Sequence, residues 1–142
     1  MVYYFFPHGL GHYIGLYTHD IPGDQSKENV WVDYKLMSLR VHRKLEENMI
    51  FSNEPGIYFN DFLLKTGQAD ENCKDLFNME VINEYMKEVR GVRIEDNFVV
   101  RKNGCPQGNY VNLTAGLPKK TEDIERWMAD DTVYMEEFLG KF

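Results

Sequence analysis

The segment Met49-Ile50-Phe51-Ser52-Asn53-Glu54-Pro55-Gly56-Ile57-Tyr58-Phe59 constrains the fold of this chain more than any other. Two extended apolar pieces flank an acid that precedes a Pro-Gly pair, and the proline biases Glu54 away from helical geometry. A carboxylate therefore falls at the end of a strongly apolar strand, where burial without compensation is costly. Coordination of a cation relieves that cost. Glu-Pro-Gly alone is a weak signal, because Glu before a Pro-Gly turn is common; the apolar context is what gives it weight.

Two further segments carry the same chemistry. In Pro7-His8-Gly9-Leu10-Gly11-His12 the histidines stand four apart, as in a helical zinc motif, but Gly-Leu-Gly between them makes a poor helix. The glycines instead let the backbone pass close to a bound ion or substrate; the competing account is a glycine-rich turn with solvated histidines. His19, in Thr18-His19-Asp20, reads alone as a surface or capping residue. In Val92-Arg93-Ile94-Glu95-Asp96, Glu95 shares a strand face with Arg93, and a surface ion pair of little worth is the competing account. One imidazole and two carboxylates are side chains that a hard or borderline divalent metal recruits.

The totals exclude several classes. With 142 residues, one domain is expected, and 43% hydrophobic content with nine Tyr and nine Phe supplies a core. A net charge of −7 argues against a nucleic-acid binder. No run approaches the roughly 20 apolar residues of a membrane span. The N-terminus lacks the charged flank and cleavage site of a signal peptide, and Cys73 and Cys105 make no disulfide framework. A cytoplasmic location is the simplest expectation, which makes the Asn112-Leu113-Thr114 sequon a coincidence.

Along the chain, residues 2–6 read as a strand, the His-bearing segment as irregular or strand-like, and Pro22 to Asn29 as a polar loop. Asp61 to Thr66 is ambiguous. Asn72 to Val89 has helical spacing at Leu76, Met79, Ile82, Tyr85 and Met86, and Gly91 suits the stop. Val92 to Val100 alternates, with Val92, Ile94, Phe98 and Val100 on one face. Thr121 is expected to cap a helix that turns Ile124, Trp127 and Met128 inward, and the tail from Asp131 to Phe142 continues it or docks separately. The class is α+β.

Taken in order, these segments resemble the metal-binding half of the proline-specific metallopeptidases of the pita-bread fold, prolidase (Xaa-Pro dipeptidase) most of all. The resemblance runs from about Tyr4 to about Met128, taking in Gly15, His19-Asp20 and Leu39-Arg40. It implies a mostly antiparallel sheet with flanking helices. It also implies His12, Glu54 and Glu95 as metal ligands, and Glu54 as a proton shuttle. By the same resemblance His8 and His19 line the substrate pocket and steady the tetrahedral intermediate. Arg40 then holds the C-terminal carboxylate of a dipeptide, and Arg93 stands beside the metals. Two divalent ions, manganese first with cobalt or zinc as alternatives, would activate a water to attack the carbonyl before proline.

The chain departs from that family in one large respect. Only seven residues precede His8, so the two aspartates the family places upstream are expected to be missing. Asp20, Asp24 and Asp33 all follow His8 and cannot match them by order. Residues 1–142 are thus expected to form a single partial domain lacking its N-terminal half, inactive alone and inclined to associate through open edges or with the missing half. Asn53 stands where the family commonly has an apolar residue. A non-catalytic remnant that binds a peptide or protein is the alternative, and a one-metal hydrolase built on His12, Glu54 and Glu95 is a third.

Overall fold

The architecture comes from a computed structural model that describes residues 1–21, 40–41, 44–105 and 108–130, residues 103–105 by backbone alone. The expected polar loop from Pro22, the tail from Asp131, and both Asp24 and Asp33 lie outside the described residues.

The two extended pieces around Glu54 are strands β1 (Ile50–Asn53) and β2 (Gly56–Tyr58). Helix α1 (Asp61–Gln68) follows, then α2 (Met79–Glu88), β3 (Gly91–Arg93), β4 (Asp96–Cys105), β5 (Gly108–Asn112) and α3 (Thr121–Ala129). One antiparallel sheet has the order β1-β4-β5 and a second, two-stranded, pairs β2 with β3. The two share a register: Asn53 faces Asp96 in the first and Gly56 faces Arg93 in the second. They are one long ladder interrupted for two residues a side, and across the interruption Glu54 stands opposite Glu95. Pro55 accepts a bond from Ile94 N–H at 3.1 Å but has no N–H to return. The proline that sets Glu54's backbone thus also opens the gap into which both acids fall.

The His-bearing segment lies antiparallel against the free edge of β1. Glu54 N–H donates to Leu10 O (2.7 Å), Ser52 N–H to His12 O (2.9 Å) and Ile14 N–H to Ile50 O (2.9 Å). At Gly11 the two backbones approach so closely that a Cβ would stand 2.7 Å from the Ser52 carbonyl carbon, a distance real Cβ atoms do not show. The segment is strand-like, as its glycines implied.

Helices α1 and α2 owe their starts to asparagines, and α2 owes its stop to one left-handed residue. Asn60 Oδ1 accepts from the N–H groups of Phe62 (3.0 Å) and Leu63 (3.1 Å), which starts α1 where the sequence was ambiguous. Asn78 Oδ1 accepts from Val81 N–H at 3.3 Å and starts α2 seven residues later than the apolar spacing suggests. A side chain that caps a helix competes with one running through it, so Lys74–Leu76 is a separate 3-10 turn and Leu76 is exposed. The stop of α2 is Arg90, at φ 60°, and Gly91 instead opens β3.

Other expectations are corrected. Val2–Tyr4 is a 3-10 turn, not a strand. That turn lets Tyr4 and Phe5 both pack inward on Phe77, with ring centroids 5.9 and 5.5 Å away. An aromatic run through Phe59 and Tyr85 links this turn to α2, and Leu64, 2% exposed, is the best-buried apolar side chain among the described residues. The expected apolar face of residues 92–100 is divided: Val92 and Ile94 are exposed, Phe98 and Val100 half-buried, and Val99 on the other face is buried. No described element covers the outer face of β2 and β3. Thr121 is the first residue of α3 and Lys120 its cap, while Ile124 and Trp127 are half-buried and Met128 is exposed. No helix among the described residues is long and apolar enough to cross a membrane.

Candidate metal centre

Three chain segments deliver the site. The edge segment brings His12, and the interrupted ladder brings Glu54 from one side and Glu95 from the other. Their donor atoms all lie within 4.8 Å of one another. Two donors on one ion with bonds of about 2.1 Å can be at most about 4.2 Å apart, so small side-chain rotations would close the set. His12 and Glu54 are buried and Glu95 is exposed.

The hydrogen bonding around His12 favours a cation. Its Nδ1 lies 3.0 Å from the Tyr13 carbonyl, which can only accept, so the proton sits on Nδ1. In the neutral ring this turns the Nε2 lone pair towards Glu54 Oε1, 3.3 Å away. A cation between the two would relieve that contact, as Arg93 does on the other oxygen of Glu54. One neutral imidazole and two carboxylates fit a hard or borderline divalent ion.

Two residues complete the surroundings without having been singled out from the sequence. Ser52, 1% exposed, donates from Oγ to Glu54 Oε1 at 2.9 Å. Tyr58 places its hydroxyl 2.9 Å from His8 Nε2 and accepts from Arg93 Nε at 2.6 Å. Their signal was positional: each lies an even number of residues from Glu54 along extended chain, two before and four after.

The expected pocket residues fall into two groups. Arg93 Nη1 pairs with Glu54 Oε2 at 2.9 Å and its Nη2 lies 3.4 Å from His8 Nε2. The Tyr58 hydroxyl above all, and then the Glu54 and Glu95 carboxylates, hold the Arg93 guanidinium above its ordinary range against partial burial. His19 sets its ring edge-to-face on His12, centroids 4.3 Å apart. Arg40 is exposed and joins no hydrogen bond or ion pair with another described residue. Next to Glu95, Asp96 accepts from Lys119 (2.8 Å) and Thr114 (2.5 Å), tying the start of β4 to the approach to α3. Burial pushes the Asp96 carboxyl up, but the bonds from Lys119, Thr114 and Asn112 outweigh it and hold the group below the usual carboxylate range.

His12, Glu54 and Glu95 thus converge as a group of the donor types that a divalent metal recruits. The family model of metallopeptidase family M24 matches residues 2–102, and the chain belongs to that family. An uncharacterised peptidase of Saccharomyces cerevisiae is 42% identical over 123 residues, covering 86% of this chain and 21% of that protein. A probable Xaa-Pro aminopeptidase of Pyrenophora tritici-repentis is 40% identical over 122 residues, 86% of this chain and 24% of its own. Among solved structures, Escherichia coli aminopeptidase P with the inhibitor Pro-Leu aligns at TM-score 0.51 and 30% identity, covering 89% of this chain and 21% of that one. The mixed α+β arrangement is therefore part of the aminopeptidase P pita-bread fold. The chain spans about a fifth to a quarter of the length of these relatives.

Proposed function

We propose that this chain is the C-terminal catalytic portion of an Xaa-Pro-cleaving metallopeptidase, supplying His12, Glu54 and Glu95 to its metal centre. The observation that carries this is the convergence of those three donors within 4.8 Å from three separate segments. A divalent metal held there supplies Lewis acidity and an activated water at neutral pH. Around it, Glu54 would take up and return a proton. His8 and His19 line the pocket, with His8 Nε2 positioned by Tyr58. Arg93 balances the acids, and Arg40 is the residue assigned to the free carboxylate of a short substrate.

Among the described residues three protein donors come together, short of the roughly five that a two-ion carboxylate site uses, so little or no turnover is the expectation for these 142 residues alone. Manganese is the first choice of metal, with cobalt or zinc as alternatives. The names of the relatives point to the Xaa-Pro bond, and the chemistry here leaves dipeptides and longer peptides both open to test.

One observation favours a second reading, a non-catalytic module that binds a peptide or protein. Arg93 already neutralises one oxygen of Glu54, so the acids have a partner without metal. Titration of the purified chain with Mn(II) and Co(II), alongside assays on Gly-Pro and a longer Xaa-Pro peptide, separates the two. We expect one bound ion, lost in Glu95→Gln and His12→Ala, with little turnover. No ion bound would favour the module, and brisk Gly-Pro hydrolysis would overturn the claim that the centre is partial.

A further inference from the structure

Ser52 is more buried than any other polar side chain described, at 1% exposure, and its hydroxyl links the Glu54 carboxylate to the backbone of His12. His12 N–H donates to Ser52 Oγ at 3.0 Å, and Ser52 Oγ lies 2.9 Å from Glu54 Oε1. The hydroxyl has one proton and two candidate acceptors, Glu54 Oε1 and the His12 carbonyl at 3.5 Å. The carboxylate is nearer and charged, so it takes the proton. The Oγ lone pair is then free to accept from His12 N–H. Alternation puts Ser52 and Glu54 on one face of the extended chain, and the edge ladder pairs Ser52 with His12.

We infer that Ser52 is a positioning residue that locks His12 and Glu54 into one binding geometry for a divalent cation. The hydroxyl fixes the rotation of the Glu54 carboxylate so that Oε1 faces His12 Nε2. By holding the His12 amide it also ties the imidazole's backbone to the same point. Without it, Glu54 Oε1 loses its one neutral donor among the described residues, and the carboxylate is left to swing towards Arg93. This rests on the reading of His12 and Glu54 as metal ligands.

The test is Co(II) titration of the full chain, followed by visible absorption, with far-UV circular dichroism on every variant. Ser52→Ala removes one oxygen, and it is expected to fold and to bind Co(II) ten- to a hundredfold more weakly, as for other residues that orient ligands. Ser52→Thr keeps the hydroxyl and is expected to recover most of the affinity. Val99→Ala, a buried truncation on the neighbouring strand, is expected to lower stability and leave the dissociation constant unchanged. Unchanged affinity in Ser52→Ala, equal weakening in Val99→Ala, or a folded Ser52→Thr as weak as Ser52→Ala would each overturn the inference. Loss of fold in Ser52→Ala would assign the hydroxyl to the scaffold and overturn it too. Failure of the underlying reading looks different: Glu54→Gln would bind Co(II) like the parent, or the parent would bind none.

Discussion

Gly11→Ala tests how the site is assembled, because the close approach at Gly11 is what brings His12 alongside Glu54. A Cβ there would lie 2.7 Å from the Ser52 carbonyl carbon and 3.1 Å from its Oγ, so backbone must give way. The nearest links to separate are Glu54 N–H to Leu10 O, Ser52 N–H to His12 O, and His12 N–H to Ser52 Oγ. At about 1 kcal/mol each, their loss costs about 3 kcal/mol. The alanine offsets some of this, about 0.4–1 kcal/mol, by stiffening the unfolded chain. A net loss of roughly 2–3 kcal/mol remains, a large part of the stability of a domain this small. Urea denaturation followed by circular dichroism would measure it as a lower midpoint, and Co(II) affinity should fall in parallel as His12 moves off Glu54. Gly15→Ala is the contrast: its Cβ would meet Asp20 Cγ at 2.8 Å, part of a flexible side chain that can rotate away. That variant should lose under about 1 kcal/mol. If Gly11→Ala is as mild as Gly15→Ala and still binds cobalt, the close approach does not set the site.

Two further outcomes follow from the supporting structure. Asp70 is held well below the usual carboxylate range, first by the Tyr4 hydroxyl at 2.7 Å and then by bonds from Asn72. A lowered folded-state pKa gives stability that is present above the ordinary carboxylate pKa and lost as pH falls below it towards the folded value. Tyr4→Phe should therefore lower the melting temperature at pH 7, and the gap to the parent should narrow steadily below about pH 4; a gap independent of pH would refute the linkage. Arg90 occupies the left-handed region at φ 60° beyond the end of α2, so Arg90→Gly should raise stability by up to about 1 kcal/mol, read as a higher urea midpoint. A lower midpoint would mean that the Arg90 side chain does more there than its backbone strain costs.

Much of the site could be read before the fold was known. Glu54 is marked by an acid ending an apolar run before a proline, and proline's missing N–H and fixed φ act locally. The glycines around His8 and His12 exclude a helix for the same kind of reason. Helix starts were less legible: apolar spacing carried the expected helix back to Asn72, whereas Asn78 accepts from the Val81 N–H and resets the start. The turn at residues 2–4 was misread because aromatic residues favour strands, and only packing on Phe77 shows why they turn here.

What the linear order of residues determined is the chemistry on offer, an imidazole and two carboxylates at His12, Glu54 and Glu95, because side-chain type and proline or glycine constraints are properties of one residue and its neighbours. What only tertiary structure decided is that the acids face each other and that Ser52 and Tyr58 join them. Those facts depend on a strand register spanning some forty residues of chain and on an edge pairing with β1. Register is set by summed backbone hydrogen bonds and burial across the sheet, and no short stretch of sequence contains that sum.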